Sequence, residues 1–401
     1  MRSMQPSGIS PPRAEDAPSS RASCASPFRT GSADEAKSAA AVLSIDLAAV
    51  AANYRLLRGR LAPGAVCGAV LKADAYGLGA TRVAPVLAAE GARSFFVAHL
   101  EEALSLRRIL TSARIAVLNG AMPGTEPEFV RYDVLPVLND LGAVERWSAL
   151  ARDLGRRLPA LLQLDTGMAR VGLTADEVAR LAEQPDRLSG IKLTHIMSHY
   201  ACANEPDHPL NGEQRARFDA LRAQLPATPT SLANSAAIFL PPVYHGDLVR
   251  PGAALYGLNP RSNAPNPMNP AVTLHARILQ LRDIPRGAPV GYGATYRAKR
   301  DTRVATLALG YADGYPWSLG NRGSVRIGSR RAPVIGRVSM DLVTVDVTEV
   351  PVEDCAPGSF AEVIGPDHPV DSVAAEAGTI GYEILTRLGH RFHRVYRTDS
   401  T

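Results

Sequence analysis

A lysine, Lys72, ends a mostly apolar run, Val66–Leu71. Tyr76 follows four residues later, then Gly77 and Gly79. An amine at the end of a buried strand sits in a poor dielectric. That lowers its pKa and leaves more of the neutral form, which is the nucleophile and base. The two glycines let the main chain come close to a ligand such as a phosphate. Taken alone, the stretch is also what a lysine leaves when its stem lies along a strand end and its charge stays in water. Four other places carry side chains suited to the same chemistry. Asp165–Arg170 ends in a guanidinium that can give a planar carboxylate two parallel hydrogen bonds, or can form an ordinary surface ion pair. His199 brings an imidazole. Asn234 and Ser235 form a helix start, where a hydroxyl can cap the helix or meet a phosphate. Arg250 adds a second guanidinium. Together they suit an anionic, phosphorylated cofactor and a carboxylate substrate.

Those residues are useful together only if the fold brings them together. From Ala41 onward short apolar runs alternate with amphipathic stretches. The runs are Val66–Leu71, Ser94–Ala98, Ile115–Leu118, Val134–Leu138, Ala160–Leu164, Lys192–Met197, Thr230–Ala233 and Asp247–Val249. Glu101–Leu110, Leu141–Leu154, Ala175–Ala182 and Gly212–Leu225 read as helices between them. This alternation predicts parallel strands with crossover helices. Eight repeats over residues 41–270 predict a (β/α)8 TIM-type barrel, in which chemistry sits just beyond the strand C-termini. Lys72, Arg170, His199, Asn234, Ser235 and Arg250 all lie there. His195, inside its run, reads as a core histidine.

The pattern changes over residues 271–401. Val272–Leu281, Arg303–Leu309, Ser324–Ile327 and Leu342–Val347 alternate or run apolar between turn signals, which predicts a mainly antiparallel β-domain. Ala41–Ile45, ahead of the barrel, is expected to pair with it. Residues 1–40 contain 22 Ser, Ala and Pro and no apolar periodicity, so a disordered extension is expected there. The net charge of +5 is spread along the chain rather than gathered into a nucleic-acid face. Four widely spaced cysteines give neither metal-ligand spacing nor a disulfide framework, which suits a reducing, cytoplasmic compartment. No apolar run is long enough to span a membrane.

The stretch Ala69–Ala80, AVLKADAYGLGA, resembles the cofactor-lysine motif of the bacterial alanine racemases. The resemblance continues in order through DTGMARVG (Asp165–Gly172), THIMSHY (Thr194–Tyr200), LANSA (Leu232–Ala236), VRPGAALYG (Val249–Gly257), GYGATY (Gly291–Tyr296), LGYADGY (Leu309–Tyr315), VSMDL (Val338–Leu342) and IGYEI (Ile380–Ile384). Only the N-terminal tail lies outside it. It implies a homodimeric enzyme that binds pyridoxal 5′-phosphate (PLP) and interconverts L- and D-alanine for cell-wall peptidoglycan. Lys72 would carry the cofactor and serve as one base. Tyr292, supplied by the partner subunit, would be the second. Tyr76, His199, Ser235, Arg250, Gly252, Ala253 and Tyr382 would hold the cofactor, with Arg250 facing its pyridine nitrogen. Arg170, Met340 and Tyr311 would meet the substrate.

One position departs from the family pattern. Many members have a lysine two residues before the aspartate, and it carries a carbamate that orients the arginine. Here the position is Gln163, so no carbamate is expected, and its amide oxygen is expected to accept from Arg170. Three other readings remain. A broad-specificity or serine racemase shares the fold. A decarboxylase of the same fold type lacks the GYGATY tyrosine. A non-catalytic PLP-binding protein of the single-barrel type lacks the β-domain.

Overall fold

The computed structural model describes residues 38–398. The extension expected over residues 1–40 lies outside them, apart from its last three residues. All eight expected barrel runs fall on parallel strands. One seven-stranded sheet runs in order through β3 (Ala69–Val70), β4 (Ser94–Val97), β5 (Arg114–Val117), β6 (Leu135–Leu138), β7 (Leu158–Gln163), β8 (Ile191–Met197) and β9 (Thr230–Ser231). The strands are buried on both faces, as the unbroken apolar runs require. Phe95, Phe96 and Val97 illustrate this.

Residues Val66–Leu71 are not one strand. Gly68 divides them into β2 (Val66–Cys67) and β3, and β2 pairs in parallel with β10 (Leu248–Val249). A Cβ at Gly68 would stand 3.0 Å from both the Phe96 ring and the Ser94 carbonyl, so a side chain does not fit where the run changes partner. The barrel closes through this division. Gly68 N–H donates to Val249 O at 2.9 Å, and Arg250 N–H donates to Ala233 O at 2.8 Å.

The second half is built on β11 (Val272–Ile284), whose Val272, Leu274, Ala276 and Ile278 alternate inward. β1 (Ala41–Asp46) pairs antiparallel with β11 and parallel with β19 (His393–Arg397), so the strand ahead of the barrel joins this sheet as expected. Leu43 and Ile45 of β1 are fully buried, worth roughly 1.5–3 kcal/mol each. The sheet continues through β18 (Phe360–Ile364), β15 (Ser324–Ile327) and β16 (Arg330–Pro333), all antiparallel. β14 (Thr302–Leu307) and β17 (Val343–Asp346) extend it on another side of β11. A separate hairpin, β12 (Pro289–Val290) with β13 (Tyr296–Arg297), presents Tyr292 on its loop. No helix among the described residues is long and apolar enough to cross a membrane.

Candidate active site

Lys72 opens a turn with an unusual backbone. Ala73, Asp74, Ala75 and Tyr76 all have φ between 53° and 57°, one turn of left-handed helix made without glycine. Each such residue costs about 1–2 kcal/mol, and a strain of this kind persists where surrounding contacts over-determine it. The contacts are present. Glu102 accepts from Ala73 N–H at 2.6 Å, and Asp74 accepts from Ala80 N–H at 2.7 Å. The turn aims Lys72 and Tyr76 into a cleft of about 740 Å³ at the C-terminal end of the barrel. Gln163, Arg170, His199, Ser235, Arg250, Gly252, Ala253 and Tyr382 line the same cleft. It also takes in Ile380, which opens the IGYEI motif, and Asn119, which carried no motif signal in the sequence.

Arg250 is buried at the floor. Its guanidinium donates to Ser231 Oγ at 2.6 Å and to Ser198 O at 2.7 Å, and lies 3.2 Å from His199 Nδ1. Arginine only donates, so Nδ1 is the acceptor, and the neutral ring carries its proton on Nε2. Burial, then Arg250, Arg170 and Lys72, push His199 down to about 3. Burial and Arg170 also lower the Lys72 pKa, against the opposing pull of Glu102. Both shifts favour the neutral form.

The histidine shift predicts a pH dependence. The unfolded chain binds the proton below about 6.5, while the folded chain refuses it until about 3. Stability of the apo-protein therefore falls as pH drops through that window. Substituting His199 by Asn is expected to flatten this slope by up to one proton, measured by urea denaturation at several pH values. An unchanged slope would contradict the assignment.

Arg170 is positioned by a loop that leaves β7 and returns. Asp165 Oδ1 accepts from the amides of Gly167, Met168 and Ala169, at 2.9, 3.0 and 3.2 Å. Leu173 N–H then donates back to Gln163 O at 2.8 Å. The bond expected between Gln163 and Arg170 is not formed. The Gln163 amide nitrogen instead reaches Val171 O at 3.5 Å, because the side chain turns along the returning loop rather than outward to Arg170. Ser235 is not the helix cap either. The helix is a single 3-10 turn, Ala237–Phe239, preceded by Ala236, and Asn234 Oδ1 accepts from Ala237 N–H at 3.0 Å. Ser235 Oγ instead accepts from Gly252 N–H at 2.9 Å and Ala254 N–H at 3.2 Å, which leaves its own hydrogen to donate.

Two features test whether an anionic cofactor fits. Lys72, Arg170 and Arg250 converge here, and none meets a carboxylate within ion-pair distance among the described residues. The Gly252 backbone lies so close to Tyr76 that a Cβ would stand 2.4 Å from the phenol oxygen. A phosphate end fits between this glycine, the Ser235 hydroxyl and the tyrosines Tyr76 and Tyr382, whose ring centroids are 6.1 Å apart. Gly252 N–H is already engaged with Ser235, so the cradle offers less main chain than the sequence suggested.

Tyr292, Tyr311 and Met340 do not line this cleft. They stand on the β-domain surface, with Tyr292 71% exposed.

Known proteins share this sequence and fold. The family model for the alanine racemase N-terminal domain matches residues 45–260, and that for the C-terminal domain matches residues 271–396. The chain belongs to the alanine racemase family. An alanine racemase of Acidiphilium cryptum is 54% identical over 356 residues, covering 89% of this chain and 98% of that one. An alanine racemase of Rhodospirillum rubrum is 48% identical, with 89% and 96% covered. Among solved structures, the alanine racemase of Bartonella henselae, with covalently bound pyridoxal phosphate, superposes with a TM-score of 0.87 at 40% identity. The match covers 90% of this chain and all of that one. Both halves of the family architecture are therefore present in one chain.

Proposed function

We propose that the protein is a PLP-dependent alanine racemase, working in the cytoplasm as a homodimer that supplies D-alanine for peptidoglycan. The observation that carries this reading is the single cleft in which Lys72, Arg170, His199 and Arg250 converge without carboxylate partners. Ser235, Ala253, Tyr76 and Tyr382 would hold the phosphate end of the cofactor. When bound, PLP supplies the electron sink for the pair left at the α-carbon.

The chain's own residues do the rest. Arg170 offers its fork to the amino-acid carboxylate. Lys72, kept from its proton by burial, takes or returns the α-proton on one face. Tyr292 of the partner subunit serves the opposite face, which inversion requires, since one base tends to return its proton to the side it came from. A phenol has an ordinary pKa near 10, so it needs help to act as a base. Nε2–H of His199, oriented by Arg250, is the donor suited to stabilising a tyrosinate. Arg250 is a fixed donor, and it disfavours a protonated nitrogen placed before it. The exposure of Tyr292, Tyr311 and Met340 in a single chain supports their supply to a second subunit.

The test is to incubate PLP-loaded protein with L-alanine, L-serine and L-arginine separately and measure D-product by chiral chromatography. Fast D-alanine with little else is expected. Comparable rates on all three would move the reading to a broad-specificity racemase. PLP uptake with no D-product would leave a binding protein. Arg250→Glu is expected to raise transamination relative to racemisation, read as pyruvate formed per D-alanine. An unchanged ratio would remove Arg250 from its assigned place.

A further inference from the structure

The last strand of the β-domain reaches back to the strained lysine turn. We propose that Arg394 is a positioning residue for the phosphate end of the cleft, locking the segment that carries Tyr76 to the segment that carries Tyr382. This rests on the reading of the cleft as a PLP site.

Arg394 Nη1 donates to Gly77 O at 2.6 Å, immediately after Tyr76. Its Nη2 donates to Leu388 O at 3.2 Å and Gly389 O at 3.1 Å. Leu388 directly follows the helix Gly381–Arg387, on which Tyr382 stands. One guanidinium therefore ties together the ends of the two segments whose phenols face each other across the cradle. The fit there is tight, since a Cβ on Gly77 would stand 2.5 Å from Leu385 O.

Two residues along the same face of β19, Tyr396 adds a second brace. Its hydroxyl donates to Leu78 O at 3.1 Å, and a Cβ on Gly79 would stand 2.4 Å from the Tyr396 hydroxyl oxygen. The Arg82 guanidinium covers the Tyr396 ring at 4.7 Å, fixing it from the other side.

The chemistry of Arg394 is specific to this task. It meets no carboxylate among the described residues, and its buried Nε has no acceptor. Its hydrogen bonds go to main-chain carbonyls on two separate segments. A residue that only packed β19 would have no use for two diverging terminal nitrogens. Lysine, with one ammonium, can hold one segment but not both. The left-handed residues 73–76 need external ties to persist, and Arg394 and Tyr396 hold the main chain at their exit.

The test uses the full chain with Arg394→Met, Arg394→Lys and Tyr396→Phe. Val395→Ala, on the opposite face of β19, is the control for general loss of stability. The dissociation constant for PLP is measured by titrating apo-protein and following the absorbance of bound cofactor. Apo-protein thermal midpoints, kcat and KM for L-alanine at saturating PLP are measured alongside. Arg394→Met is expected to weaken PLP by about tenfold, the loss of charged hydrogen bonds to the turn, well below its thermal midpoint. Arg394→Lys should fall between it and the parent, and Val395→Ala should bind PLP normally. If Arg394→Met does not fold, Arg394→Lys and Tyr396→Phe carry the test.

The proposal is overturned if PLP affinity is unchanged in these variants. It is equally overturned if Val395→Ala, matched in thermal midpoint, loses as much affinity. A parent protein that takes up no PLP would overturn the cofactor reading itself, which the variant comparison alone cannot do.

Discussion

Lys72→Ala is expected to lower alanine racemisation by about 10⁴-fold or more, because on the proposed reading it removes both the cofactor's attachment and one of two bases. Borohydride should no longer fix PLP to the chain. The apo-protein should lose no stability. Lys72 has no ion-pair partner among the described residues, and burial already disfavours its charged form. Removing it relieves a desolvated amine rather than breaking a contact. Activity above a hundredth of the parent, with cofactor still trapped by borohydride, would show that another amine does this work.

Tyr292→Phe is expected to slow racemisation by about 10²–10⁴-fold while PLP remains bound. The side chain is 71% exposed in the single chain and lies outside the cleft, so its hydroxyl contributes nothing to the monomer fold. The variant should retain a one-sided chemistry. In D2O it should exchange the α-hydrogen of one enantiomer through Lys72 and leave the other almost untouched. Equal exchange of both enantiomers would show that Tyr292 is not the second base. Loss of PLP along with activity would give it a binding role instead.

The barrel was readable because its strands are buried on both faces and therefore spell continuous apolar runs. β11 was readable because it buries alternate residues. The positions of Lys72, Arg170, His199 and Arg250 followed from a rule about strand ends, and these residues line one cleft. The sequence did not reveal the division at Gly68, because glycine inside an apolar run also fits an ordinary strand. Nor did it reveal the left-handed turn. Ala73, Asp74, Ala75 and Tyr76 have no local preference for positive φ, and contacts from elsewhere impose it. Gln163 was misplaced because its partner depends on how the Asp165 loop closes. Arg394 and Tyr396 gave no signal, since alternate polar residues on a terminal strand look like a solvated face. In the structure that face meets the turn.

The pairing of β19 with β1 has a consequence for how the enzyme is made. A ribosome delivers the lysine turn early and the strand carrying Arg394 and Tyr396 after all eight barrel segments. Until that strand docks, Gly77 and Leu78 lack two of their hydrogen-bond donors, and the turn keeps only its barrel-side ties through Glu102 and Asp74. A barrel without the β-domain therefore presents Lys72 beside a cradle that lacks Tyr382. On the proposed cofactor reading, a chain truncated before β19 is expected to take up PLP more weakly than the full chain.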